Sequence, residues 1–382
     1  MNSKVTILKT GPETVIDDYG RLLRESGCTG FVKPGRNTVL KINLSWDLWF
    51  PACSTAPWQL EGVCRALVDD GYDATSIIPA DSGSGGIDPR RAERKNGLTT
   101  AVERLGIGIT CLEEPPVNWI RYRSRVALPA IDQIYPEGIL VPDFFPGSNI
   151  IHLPTMKTHA RAFLAGAMQN AMGGLVRENA LLSSAGIDDL LVDLLALQQE
   201  LHPGLFNVAD GVFCGDGPGP RALTPYEKGY ILAGADPVAV DAVIARMMGF
   251  DPRSIGYIRK AHERGLGCGD ISEIEIAGED IAAINFQFEG PEGGGLGSKL
   301  LSPGSLLPAR AAELLQDYLW YPYSGWKHLN QIAETRWGQL LQDYLPEDAV
   351  LDQQGKGKGS LTGIAAAGFF ATAALVGLRR RL

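Results

Sequence analysis

Paired cysteines, basic charge and the familiar phosphate-binding signatures are all scarce in this chain of 382 residues. Its six cysteines, Cys28, Cys53, Cys64, Cys111, Cys214 and Cys268, never form a C-x-x-C pair. Neither a zinc ribbon nor a ferredoxin-type cluster is therefore expected, and no metal-ligand set is assigned. Scattered thiols in so long a chain read as reduced core residues of a cytoplasmic protein. Acids outnumber bases, 44 to 35, for a formal net charge of −9. That balance argues against nucleic acid as a partner, because phosphate neutralisation needs a basic face. The first residues lack the continuous apolar run and small-residue cleavage site of a secretory signal. There is no internal repeat, no Walker A Gly-Lys-Ser/Thr and no G-x-G-x-x-G.

What is present is ordinary globular composition, 45% hydrophobic and 21% charged. Strand-like runs at Val5–Lys9, Val39–Leu44, Ala74–Pro79, Gly108–Leu112, Asn149–Leu153, Leu205–Val208 and Tyr230–Leu232 alternate with helical patterns. The helical patterns include Pro57–Val68, Leu98–Leu105, Ile187–Leu201 and Pro237–Met248. Such alternation predicts a mixed α/β fold, with a largely parallel open sheet flanked by helices. Ile271–Ile276 adds an edge strand. Residues 115–148 read as an insertion carrying a hairpin around Arg123–Leu128, and the family-like α/β domain spans 1–280. Residues 281–352 form a linker and an aromatic-rich helical extension, expected to dock on the core rather than on lipid. Residues 353–382 form a Gly/Lys linker and a hydrophobic tail.

Five local signals mark a site at the strand ends, where open α/β sheets bind ligands. Lys41-Ile-Asn43 closes a buried strand, and an inward lysine needs a partner or an anion. Ser54-Thr55-Ala-Pro57 opens a helix, with Ser54 or Thr55 as its cap and its amides available to an anion. Asp81-Ser-Gly83-Ser-Gly85-Gly86 is a turn or an anion-binding nest. Leu153–His159 offers Lys157 as a cation and His159 as a general base, while His152 is equally a core histidine. Asn170 is a hydrogen-bonding group, and Gly173 and Gly174 permit close backbone approach. Asp210 and Asp236 each end a strand. Asp236 caps the helix beginning at Pro237. Asp241 lies among Val240, Ala242 and Val243 and is expected to be buried and partnered. Together with His159, the carboxylates point to acid–base work or to a divalent cation.

The motifs KIN at 41–43, STAP at 54–57, DSGSGG at 81–86 with NGL at 96–98, and LPTMKTH at 153–159 follow one another in order. QNAMGG at 169–174, VADG…GDGPGP at 208–220 and ILAGADPVAVDAVIARMMGF at 231–250 complete the series. Over roughly residues 35–260 the chain resembles the family known as domain of unknown function 362. The resemblance implies a mixed α/β fold. Many members carry an appended ferredoxin-like iron–sulfur module, which this chain lacks. The family pattern has Lys-Asn where this chain has Gln169-Asn170, so one cation of the presumed site is replaced. No activity attaches to the family name, and no cofactor is implied for this chain.

These readings lead to an enzyme acting on a small anionic metabolite. Lys157, His159, Asp210 and Asp241 would be its catalytic groups. Lys41, Asn43, Thr55, Asp81, Gly83, Gly85, Asn170, Gly173 and Gly174 would be its binding groups, with a separate redox partner if the chemistry is redox-linked. The alternatives are a non-catalytic ligand- or metal-binding scaffold tethered to a membrane, and a divalent-metal hydrolase. Residues 361–378, LTGIAAAGFFATAALVGL, are uncharged and precede three arginines. They are near the lower length limit for a span and predict anchoring at the cytoplasmic face of a membrane, although Lys356 and Lys358 on one side and the arginines on the other leave the orientation of the tail open. A soluble cytoplasmic protein is the alternative.

Overall fold

The computed structural model describes residues 3–82, 87–175, 186–293, 320–321 and 325–346. A ten-stranded sheet organises them. Its strands are β1 (Ser3–Lys9), β2 (Thr38–Lys41), β3 (Ile77–Asp81), β4 (Thr110–Cys111), β7 (Asn149–His152), β8 (Thr155–His159), β9 (Phe163–Ala165), β10 (Leu205–Asp216), β11 (Thr224–Gly234) and β12 (Ile274–Gly278). A separate ribbon pairs β5 (Trp119–Tyr122) with β6 (Ile139–Pro142). The main order is β12-β1-β11-β10-β7-β2-β3-β4. Along it, only β11 runs against its neighbours, so the expected largely parallel sheet is present.

Alternate residues of the strands enter two separate cores. Leu40, Ile151 and Val208 face one core with helices Val15–Glu25 and Pro57–Asp69. Val39, Ile150 and Ala209 face the other with helices Ile187–Leu201, Pro237–Met248 and Gly256–Glu263. Local chemistry sets the helix ends. Asp236 accepts the amides of Val238 and Ala239 at 2.9 and 3.2 Å, Pro237 occupies the first turn, and Gly249 at φ +103° stops the helix.

Several boundaries differ from the sequence reading. β2 stops at Lys41, because Asn43 and Leu44 turn their amides to the side chains of Thr55 and Asp81. Ala74–Ser76 is a 3-10 turn capped by Asp73, and the strand begins at Ile77. The hairpin forms from β5 and β6. The run after Tyr122 is instead tied down by Glu200, which accepts from Ser124, Arg125 and Val126. The edge strand is β12, preceded by a 3-10 turn at Ile271–Glu273.

Of the C-terminal extension, Trp320, Tyr321, Trp326 and Trp337 all pack on the first core. Trp337 lies 5.3 Å from Trp58 between ring centroids, and Tyr344 donates to buried Glu61 at 2.6 Å. No helix among the described residues is long and apolar enough to cross a membrane. The tail at 361–378 lies outside the described residues.

Candidate functional site

The parallel strands bring the ends of β2, β3 and β7 to one edge, and the chain then continues. Pro154 bends it, and Thr155–His159 becomes β8, pairing with β10 beyond the end of β7. Lys157 and His159 are therefore strand residues, not members of a turn. Two-residue alternation puts Thr155, Lys157 and His159 on one face.

Lys41 and Asp81 form a buried ion pair at 2.8 Å, with side chains 1% and 4% exposed. Asp81 also accepts the amides of Leu44 and Ser82, at 2.7 and 2.8 Å. Burial raises its carboxyl above the usual range, and Lys41 opposes that rise. The second hydrogen bond of the Lys41 ammonium goes to the Ile42 carbonyl. Asn170 donates to the Lys41 carbonyl at 2.7 Å, and Ser82 donates to the Gly173 carbonyl at 2.6 Å. A Cβ on Gly173 would meet Asp81 Oδ1 at 2.6 Å, and one on Gly174 would meet Lys41 Cε at 3.2 Å. The two glycines thus let this segment lie directly on the ion pair. Gly83 and Gly85, the nest candidates, lie outside the described residues.

Following the backbone past Ile42 leads to the second half of the cluster. Asn43 donates from Nδ2 to the Cys53 carbonyl at 3.0 Å. The same carbonyl accepts from Lys157 Nζ, which also donates to Thr155 Oγ1 at 2.7 Å. Lys157 is 2% exposed and has no carboxylate partner among the described residues. Burial pulls its amine down to about 8. Cys53 is buried beside it, and burial pushes the thiol up to about 12 against the pull of Lys157 and Arg221. That thiol is an inert donor, bonding the Pro220 carbonyl at 3.0 Å. Arg221 bonds the Ser45 carbonyl at 2.8 Å, so the 216–223 loop clasps the 44–56 loop over Lys157.

Other candidates have structural employment. Thr55 does not cap the helix at Pro57. Its hydroxyl accepts from Asn43 N and donates to the Leu153 carbonyl, each at 2.8 Å, and Ala56 is the N-cap with no side-chain bond. His152 is a core histidine between Gln198 and Asn170, pushed down to about 3 by burial. His159, the general-base candidate, is engaged by main-chain groups. Its Nδ1 accepts the amides of Arg161 and Ala162 at 3.2 and 3.1 Å, leaving the proton on Nε2. Burial, with Lys157 and Arg161 adding to it, pushes the ring down to about 3. The nitrogen that would take a substrate proton is already occupied.

The structure does not bring Asp210 and Asp241 to His159. Asp210 lies within the twelve-residue β10, where a strand end was expected. It accepts from Tyr19 Oη at 2.7 Å and Trp58 Nε1 at 2.9 Å in the first core, and burial raises it to about 6. Asp241 is fully buried on the opposite side of the sheet, raised to about 7 by burial. It accepts the amides of Ala167 and Met168 at 2.6 and 3.2 Å, and Tyr257 Oη at 3.1 Å. It therefore fastens the segment that carries Asn170. Among the described residues, no group of three or more His, Cys, Asp or Glu is placed to hold a metal ion. A cavity of about 540 Å³ lies between Arg246, Arg253 and Asn285, and no candidate residue lines it.

The sequence reading missed the main-chain carbonyl of Cys53, Thr155 and the Arg221 clasp. Only Thr155 had a visible signal, its two-residue spacing from Lys157. GDGPGP works by close packing: a Cβ on Gly219 would meet the Thr158 carbonyl at 2.3 Å.

A thylakoid-associated protein of Synechocystis is 25% identical over 248 residues, covering 63% of this chain and 71% of its own length. A solved structure from Thermotoga maritima superposes over 66% of this chain and 58% of its own, at 12% identity and a TM-score of 0.32. The sequence profile of the family described as domain of unknown function (DUF362) matches residues 38–246, more than half of the chain. The chain belongs to that family.

Proposed function

We propose that this protein binds a small anionic metabolite where β2, β3 and β7 end and β8 begins, with Lys157 as the cation. The observation behind this reading is Lys157 itself. Its ammonium is buried against one carbonyl and one hydroxyl, without a carboxylate. An unpaired buried charge costs several kcal/mol, on the order of magnitude general for such groups, and an anion offsets that cost. Lys41, by contrast, is already neutralised by Asp81. Thermal shift of the full chain with phosphate, malonate, pyruvate and citrate tests this. At least one anion should stabilise the wild type and leave Lys157→Met unmoved. Equal shifts in both proteins would refute it.

The separation of Asp210 and Asp241 favours a second reading, binding without turnover by a membrane-tethered scaffold. The uncharged run at 361–378 and the thylakoid association of the Synechocystis relative both support a membrane tether. Deleting residues 355–382 should move the protein from the membrane to the soluble fraction. An unchanged distribution would remove the tether from the account.

A further inference from the structure

We propose that Lys157, the cation that draws the anion in, becomes a nucleophile when its ammonium gives its proton to solvent, and that the anion held here carries an aldehyde or ketone that condenses with the amine to an imine. The inference rests on the anion-site reading above and names the substrate class of that site. It begins from the contrast between two buried lysines. Lys41 is ion-paired with Asp81 at 2.8 Å. Lys157 meets only the Cys53 carbonyl and Thr155 Oγ1, neither of which carries charge. The titratable and charged groups around this pair are equally unable to fix a proton on Lys157. Cys53 is held as a neutral thiol, His159 as a neutral ring with its Nδ1 occupied, and Arg161 and Arg221 are cations.

Nucleophilic lysines arise where burial disfavours the ammonium. With the amine at about 8 against an ordinary 10.5, the free base at neutral pH is roughly 300-fold more abundant than on an ordinary lysine. The chemistry needs no oxidant or cofactor. The nitrogen lone pair attacks the carbonyl carbon, the C–O π pair moves to oxygen, and oxygen takes up a proton as nitrogen releases one. The hydroxyl then leaves as water with the second nitrogen proton, as the nitrogen lone pair forms the C=N bond. The imine draws electrons from the adjacent carbon and labilises a proton or a carboxylate there. Entry requires parting the contacts between the 44–56 and 216–223 loops, among them Arg221–Ser45 and the bonds of the Cys53 thiol to the Pro220 and Arg221 carbonyls.

The test is reductive trapping with glyoxylate, a small anion bearing an aldehyde, and cyanoborohydride on the full chain. Peptide mass spectrometry reads carboxymethylation at each lysine. Lys157 should be modified at pH 7 at least tenfold faster than exposed Lys33 and Lys327, with its rate rising to half-maximum near pH 8. Excess malonate should slow Lys157 alone. Modification of Lys157 no faster than of Lys33, or only in urea, overturns the inference. If malonate still stabilises the wild type but not Lys157→Met, the nucleophile falls and the anion site stands. Rapid trapping without malonate stabilisation leaves the nucleophile standing and removes the anion site.

Discussion

Replacing Lys157 by methionine should make the protein more stable at pH 7, an unusual outcome for a buried residue. Burial holds the amine at about 8 against 10.5 when exposed, and that gap corresponds to roughly 3 kcal/mol. Methionine keeps much of the apolar stem and removes the charge. The hydrogen-bond losses are small. The Cys53 carbonyl retains Asn43 at 3.0 Å, and Thr155 retains the Ala52 carbonyl at 3.1 Å. Allowing about 1 kcal/mol for them leaves a net gain of about 2 kcal/mol. The pH dependence fixes the sign. Between about 8 and 10.5 the unfolded chain binds more protons at this residue than the folded chain, so wild-type stability rises with pH there. The advantage of Lys157→Met should therefore shrink by about 2 kcal/mol between pH 7 and 9.5. Urea unfolding followed by tryptophan fluorescence measures both proteins across that range. A destabilised variant at pH 7, or an advantage independent of pH, would refute the reasoning.

Asp241→Asn should loosen the segment carrying Asn170. The two N–H groups use different carboxylate oxygens, and an amide replaces one of these by a donor, so hydrogen exchange at Ala167 and Met168 should quicken. Unaltered exchange would remove Asp241 as the anchor. Because burial raises the Asp241 carboxyl to about 7, its burial costs least below about pH 4, and stability falls as pH rises towards 7. Subtracting the Asp241→Asn pH profile from that of the wild type should isolate this fall, and a flat difference would contradict it. Gly219→Ala should cost about 1–3 kcal/mol in urea unfolding, because its Cβ would meet the Thr158 carbonyl at 2.3 Å. Trp337→Ala should cost about 3–5 kcal/mol and alter the fluorescence of Trp58, its neighbour at 5.3 Å; a loss below 1 kcal/mol would deny that the C-terminal extension is part of the core.

Elements governed by local chemistry were the legible ones. Asp236-Pro237 announces a capped helix because cap and first turn are adjacent in sequence. Asp241 was readable as buried because apolar neighbours surround it, but its partners at Ala167 and Met168 are more than seventy residues away. Asp210 was misread because Gly211 resembles a strand terminator. The structure shows the glycine inside β10, where a Cβ would meet Met156 Sδ at 2.3 Å. Pro154 disguised β8 in the same way, hiding the alternation of Thr155, Lys157 and His159. The Cys53 carbonyl, which joins Asn43 to Lys157, is a main-chain group and leaves no signature in side-chain identity.

Calorimetric titration of malonate into the full chain at pH 9, where an amine at about 8 has mostly lost its proton, in buffers of different ionisation enthalpy, tests the central claim most directly. An anion seated on Lys157 restores its proton, so binding should be accompanied by net proton uptake, and both heat and uptake should vanish in Lys157→Met. Binding without proton uptake, or equal binding by the variant, would contradict the assignment of Lys157 as the cation of this site.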